Sequence, residues 1–155
     1  MAVSVQSVAN AFIQLAKDER NVLTNMQVQK LVFLAQGYCL ALLDRSLYES
    51  SIHAWQFGPV VPKLYNSLQR YGSGNVDSPI EGQDEIATES DEYKIIKAVW
   101  HAYGKRSGPW LSSLTHRPGS PWSITWAKTS FGIIPPDEIK QYYKAILGRS
   151  EKSEG

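Results

Sequence analysis

One cysteine in 155 residues, Cys39, cannot form an internal disulfide, so the fold must be held by its core alone. Net charge is almost absent as well. Sixteen Lys and Arg against fifteen Asp and Glu leave a formal +1, without the broad positive field of a protein that lives on phosphate backbones. The opening MAVSVQSVANAF has neither a basic n-region nor a continuous apolar h-region. The apolar run from Leu31 to Leu43, interrupted by Gln36 and Gly37, is shorter than the ~18 residues of a membrane span. These absences predict a cytoplasmic protein without a membrane partner. There is no GxxxxGK[ST] loop and no GxGxxG, so no cofactor is expected. His53, His101 and His116 lack HxxxH, HExxH or CxxC spacing, and a metal site would need ligands that converge only in the fold. A triad can be assembled on paper from Ser113, His116 and an acid, but no GxSxG elbow fixes a nucleophile. The chain therefore predicts no catalytic residue, no metal ligand and no enzyme.

Aromatic rings are what it has in quantity. Trp55, Trp100, Trp110, Trp122 and Trp126 accompany eight tyrosines, residues that fill cores and that partner-binding surfaces favour. The stretch that organises the rest is Thr24 to Leu43. Thr24 and Gln27 form a capping box, Leu23 and Val28 sit where a hydrophobic staple closes, and Val28, Leu31, Val32, Ala35, Cys39, Leu42 and Leu43 recur at helical spacing. Phe33, Leu34, Tyr38 and Leu40 extend the apolar surface to the other sides, which predicts a central helix covered by several neighbours.

Around it the pattern predicts a first helix from about Ser4 to Lys17 and a small hairpin across Glu49-Ser50-Ser51, between Leu47-Tyr48 and Ile52 to Trp55. A third helix opens at Gly58-Pro59-Val60-Val61-Pro62 and ends at Gly72. The Gly, Ser, Asp and Glu-rich stretch from Ser73 to Thr88 reads as a surface connection with a short strand at Ile86-Ala87. Thr88 or Ser90 caps a fourth helix, and PWLSSLTH and PWSITWAK begin two short ones. Pro135-Pro136 starts a last helix that ends at Gly148. The sum is a mainly α, α+β fold: one helical domain over residues 1–148, of six to seven helices with a small β-hairpin, followed by a disordered tail at 149–155.

Lys30 stands near the positive end of the central helix, where a cation opposes the dipole. A lysine ordinarily lays its stem along the core and keeps its ammonium in water, and that is the expectation here. The alternative is that Gln29 and Lys30 order the neighbouring hairpin or hold a partner's carboxylate. Thr115 and His116, at the end of a short helix, are expected to cap backbone groups rather than to catalyse. Lys63, Arg70, Lys94, Lys97, Lys105 and Arg106 are scattered singly or in pairs and make no basic recognition face, so no nucleic-acid partner is expected.

Three pieces in this order are recognisable: Gln29 to Gln36, QKLVFLAQ; Ala54 to Val60, AWQFGPV; and Leu111 to His116, LSSLTH, followed by Pro121-Trp122. From about Val8 to Tyr143 the chain resembles the Panacea domain, the SocA-like antitoxin domain formerly known from phage-associated proteins. Phe33 departs from it, standing where the family often has tyrosine. The resemblance implies a non-enzymatic antitoxin of a bacterial or prophage toxin-antitoxin pair, encoded beside a toxin that it neutralises by direct protein contact. One branch of the family instead acts as an adaptor that delivers its toxin to a ClpXP-type protease. A transcription regulator that binds DNA and a hydrolase are the rival classes. The motif carries over to Gln29, Lys30, Trp55, Gly58, Pro59, Val60, Thr115, His116 and Trp122, as fold or partner-binding residues. The toxin-binding surface is expected along the hairpin edge from Tyr48 to His53 and at the aromatic corner from Trp110 to Trp122.

Overall fold

A computed structural model describes residues 2–154, with side chains to residue 148. The chain is mainly helical: α1 Val5–Asp18, α2 Asn25–Leu43, α3 Pro62–Leu68, α4 Asp91–Tyr103, α5 Gly108–Thr115, α6 Pro121–Lys128 and α7 Pro136–Glu154. Two antiparallel strand pairs join them. β1 Leu23–Thr24 pairs with β4 Asn75–Val76, and β2 His53–Trp55 pairs with β3 Gly58–Val60.

The capping box at the head of α2 is present: Gln27 N donates to Thr24 Oγ1 at 3.2 Å and Thr24 N to Gln27 Oε1 at 2.8 Å. From there the helix runs for 19 residues, with Val28, Leu31, Val32, Phe33, Leu34, Ala35 and Cys39 all buried. By length and composition it is apolar enough to cross a membrane, with mean hydropathy 1.2, but 72 % of that window is covered by the rest of the fold. The covering comes from α1, α4, α5 and α7 on different sides. Phe12 of α1, Ile96 and Val99 of α4, Leu111 of α5, and Ile139 and Tyr143 of α7 close the core. Burial at this level is the main favourable term, at about 1.5–3 kcal/mol for each large apolar side chain.

Several boundaries differ from the sequence expectation, each for a traceable reason. The hairpin turns at Gln56-Phe57 and not at Glu49 to Ser51. Leu47 N and Tyr48 O bond instead to the two ends of the Gln36 amide, both at 2.7 Å, which draws that segment onto α2. Gly58, Pro59 and Val60 are a strand rather than the opening of α3, which starts at Pro62. Pro59 is tolerated because β3 lies at the edge of its pair. The second strand pair falls at Asn75-Val76, and Ile86-Ala87 is not a strand. Residues 131–134 lie along the open side of β2, with Phe131 N donating to Ala54 O, Ala54 N to Gly132 O and Ile134 N to Ile52 O, at 2.8–2.9 Å. Finally, α7 runs past Gly148. The side chains of the expected tail, 149–155, lie outside the described residues.

Gly37 explains how α7 sits so close to α2. A Cβ at this position would lie 2.5 Å from Cδ2 of Tyr143, so the ring packs directly on the α2 backbone. Gly37→Ala sets two effects against each other: up to about 1 kcal/mol gained in helix propensity and about 1–3 kcal/mol lost to overpacking. The clash is with the near edge of a fully buried ring, so it prevails. Urea unfolding of the variant is expected to show a net loss of about 1–2 kcal/mol; an unchanged or higher midpoint would contradict this account of the α2–α7 contact.

Candidate functional site

The motif residues scattered along the sequence meet around the β2–β3 hairpin. Lys30, on the second turn of α2, donates from Nζ to Pro59 O at 3.2 Å. Beside it, Gln29 accepts through Oε1 from Val61 N at 3.3 Å. From the far side, Trp122 Nε1 donates to Trp55 O at 2.6 Å, and Ser112 Oγ donates to Phe57 O at 2.9 Å. His116 Nε2 lies 3.4 Å from Gln56 O. The hairpin is thus clasped, with three successive carbonyls, Trp55 to Phe57, held from the α5 and α6 side and Pro59 O and Val61 N held from α2.

Gly58 is where the three motif pieces touch. Its φ of +121° lies in the region that favours glycine, and a Cβ would come within 2.9 Å of Lys30 Cε and 3.3 Å of His116 Cε1. His116 packs edge-on against the Trp122 ring, with centroids 4.1 Å apart. Thr115 is buried and spends its hydroxyl on Ser112 O at 2.9 Å, the capping role expected of it. His116 Nδ1 faces the Ser112 carbonyl at 2.5 Å. The Ser112 hydroxyl is committed to Phe57 O, and Ser113 is exposed. Ser112 and His116, whose Oγ and Nδ1 also lie 3.2 Å apart, each direct a polar atom at a main-chain carbonyl. Among the described residues, no three His, Cys, Asp or Glu side chains converge as a metal site would need.

Lys30 does not keep its head in water. It is 2 % exposed, and among the described residues no carboxylate pairs with it. The snorkelling expectation is therefore corrected: the stem runs inward, and only the Pro59 carbonyl receives the ammonium. Burial penalises the charge and pulls its pKa from 10.5 down to about 8. At neutral pH the group is still mostly a cation.

Next to this cluster lies a groove of about 750 Å³. Its floor includes Asn25, Gln29 and Lys30, and its walls are Met26, Trp55, Phe57, Val60, Tyr65 and Phe131. Phe57, at the hairpin apex, is 65 % exposed and Phe131 is 58 % exposed. Phe131 also has φ +67°, a left-handed conformation that a bulky residue adopts only under constraint. Its own N–H bond to Ala54 O, the bond of Ala54 N to Gly132 O and its edge contact with Trp126, at 5.3 Å, supply that constraint. Two side-chain atoms on the floor, Asn25 Oδ1 and Gln29 Nε2, are buried without a hydrogen-bond partner.

The surface expected from the sequence is partly displaced. Tyr48 is fully buried, its hydroxyl donating to Val32 O at 3.0 Å, so it contacts no partner in this fold. His53 is half-buried, with Nδ1 3.1 Å from Phe131 O. Trp110 is exposed but lies against a separate shallow recess, under the Arg106 guanidinium at 4.3 Å. Phe57, Phe131, Tyr65 and Met26 were not singled out from the sequence. Phe57 was legible in principle, as an aromatic residue at the only two positions between Trp55 and Gly58. Phe131 carried no local signal.

A family model described as "Antitoxin SocA-like, Panacea domain" matches residues 28–123, which span α2 to the start of α6. The chain is 26 % identical over 132 residues to Antitoxin SocA of Caulobacter vibrioides (strain NA1000 / CB15N), covering 79 % of this chain and 70 % of that protein. No solved structure matches the chain.

The buried ammonium has a consequence for stability. Because the folded pKa is depressed, the unfolded chain binds the proton more tightly, and the group opposes folding below pH 8. That penalty is relieved as pH rises from about 8 to 10.5. Removing the charge with Lys30→Met isolates the effect. The unfolding free energy of the parent chain minus that of the variant is expected to climb by roughly 3 kcal/mol across this interval. Paired urea titrations over pH 7–11 measure it, and a flat difference would mean that the ammonium reaches solvent.

Proposed function

The chain belongs to the SocA-like antitoxin family with the Panacea domain, and we propose that it neutralises a cognate protein toxin in the cytoplasm by direct binding, without catalysis. The observation that carries this reading is the groove beside the hairpin, which exposes Phe57 and Phe131 next to residues of the family motif. An exposed phenylalanine at a turn apex gains nothing in the isolated protein, whereas a ring of this kind anchors interfaces. The proposed binding unit is residues 1–148, and its contact surface is the groove wall rather than the Tyr48 edge. In this reading Gln29, Lys30, Trp55, Gly58, Pro59, Val60, Thr115, His116 and Trp122 position the hairpin, and Phe57, Phe131 and Tyr65 touch the toxin.

The product of the adjoining reading frame, expressed alone, is expected to arrest growth, and co-expression of this chain is expected to relieve the arrest. An innocuous neighbour would count against the proposal. Toxin abundance separates sequestration from delivery to a ClpXP-type protease, since only the latter lowers it. Phe57→Ala removes an exposed ring and is expected to leave the thermal midpoint within a degree or two while weakening toxin binding by about 2 kcal/mol, roughly 30-fold. Calorimetric titration of the purified pair reads this; equal affinity would move the contact surface away from the groove.

A further inference from the structure

The groove floor holds an unbalanced set of polar groups. Lys30 has three donor hydrogens, one of which goes to the Pro59 carbonyl. The preceding residue, Gln29, uses its amide oxygen on Val61 N and leaves Nε2 buried without a partner. A buried cation without a counter-ion and a buried donor without an acceptor are each unfavourable in isolation. Both lie at the bottom of an opening walled by Trp55, Phe57 and Tyr65.

We propose that the groove receives a linear apolar segment of the toxin and that a carboxylate on this segment seats on Lys30 Nζ and Gln29 Nε2. The inference rests on the antitoxin reading and adds the chemistry of the contact. Charge complementarity selects the occupant. The two donors suit the two oxygens of a carboxylate, the single positive charge suits its single negative one, and the rings on either side suit flanking apolar residues. A neutral carbonyl would satisfy Gln29 but leave the ammonium uncompensated. The carboxylate has two possible sources in a polypeptide, an Asp or Glu side chain or the chain end, and both present the same oxygens.

Four peptides separate these sources, each titrated against the full-length ¹⁵N-labelled protein and its Lys30→Met variant at pH 7. Two are N-acetyl-Leu-Trp-Glu-Phe-amide and its Gln counterpart. The others are N-acetyl-Leu-Trp-Phe with a free C-terminus and the same peptide as an amide. At least one carboxylate peptide is expected to bind the parent chain about tenfold more tightly than its neutral twin, the size of one charge-assisted hydrogen bond. In Lys30→Met that preference is expected to vanish, while the apolar contribution to binding remains. Equal binding of both members of each pair to the parent chain, a preference that survives in Lys30→Met, or no shift at groove residues with any peptide would each overturn the proposal. The parent-chain comparison needs no variant, so a misfolded Lys30→Met protein would not obscure the answer.

Growth protection by Lys30→Met separates the two levels of inference. If the parent chain relieves the neighbour's toxicity and the variant does so equally well, the carboxylate seat is wrong and the antitoxin reading stands. Failure of the parent chain to protect counts against the antitoxin reading, while the peptide pairs still decide the chemistry of the groove.

Discussion

The architecture depends on the few polar side chains that α2 carries into an apolar core. Asn25, Gln29 and Gln36 are spaced by four and seven residues, so they form one stripe along the helix. Each reaches the main chain of a different irregular segment. Asn25 Nδ2 donates to Leu68 O and Gly72 O at 3.2 and 3.0 Å, Gln29 Oε1 accepts from Val61 N, and the Gln36 amide takes both Leu47 N and Tyr48 O. Lys30, on the adjacent face, adds Pro59 O. Loops that would otherwise bury unpaired backbone groups, at about 1–3 kcal/mol each, are thereby attached to the element on which α1, α3, α4, α5 and α7 pack. The apolar residues of α2 set what lies near it; the polar ones set the path of the chain between those neighbours.

The same constraint explains why the hairpin turn has a defined shape although its strands are three residues each. Two short strands contribute little by themselves and are marginal in water. Here the turn carbonyls of Trp55, Gln56 and Phe57 face Trp122, His116 and Ser112, and the carbonyl of Pro59 faces Lys30. A third strand-like segment, 131–134, completes the other edge of β2. The outcome is a rigid apex with Phe57 held outward, which lowers the ordering cost that a partner would otherwise bear on binding it.

Much of this was legible in the sequence, because the governing signals were local. The capping box at Thr24, the prolines that open α5 and α6 and the apolar periodicity of α1, α4 and α7 are read within a few residues of where they act. The misreadings have the opposite character. The turn was expected at Glu49 to Ser51 because those residues are polar, yet the decision lies with Gln36, more than ten residues away, which captures Leu47 and Tyr48. Tyr48 looked like an edge residue for the same reason. Lys30 was expected to reach water because lysines usually do, and nothing in its immediate neighbours says that the Pro59 carbonyl will stand 3.2 Å from its amine. The motif resemblance identified the residues that meet, but not that they meet on backbone atoms. The groove wall remained hidden because its side chains come from α2, the hairpin, α3 and the segment after α6, and no single window contains them.

That division of labour bears on how such a domain can serve as a binder. Of the motif residues, Lys30, Gln29, Thr115, His116 and Trp122 all direct a polar atom at main chain. A carbonyl or an N–H is the same group whichever side chain follows it. Substitution at the hairpin apex therefore leaves the clasp intact, so Phe57 and its surroundings can differ between proteins that share the clasp. Gly58 is the exception, since any Cβ there would meet Lys30 and His116. A scaffold whose recognisable residues grip its own backbone is free to vary the side chains it offers to a partner. By this argument the most recognisable positions in the sequence are the ones least expected to touch the toxin, with Lys30 and Gln29 set apart because each retains unused donors facing the groove.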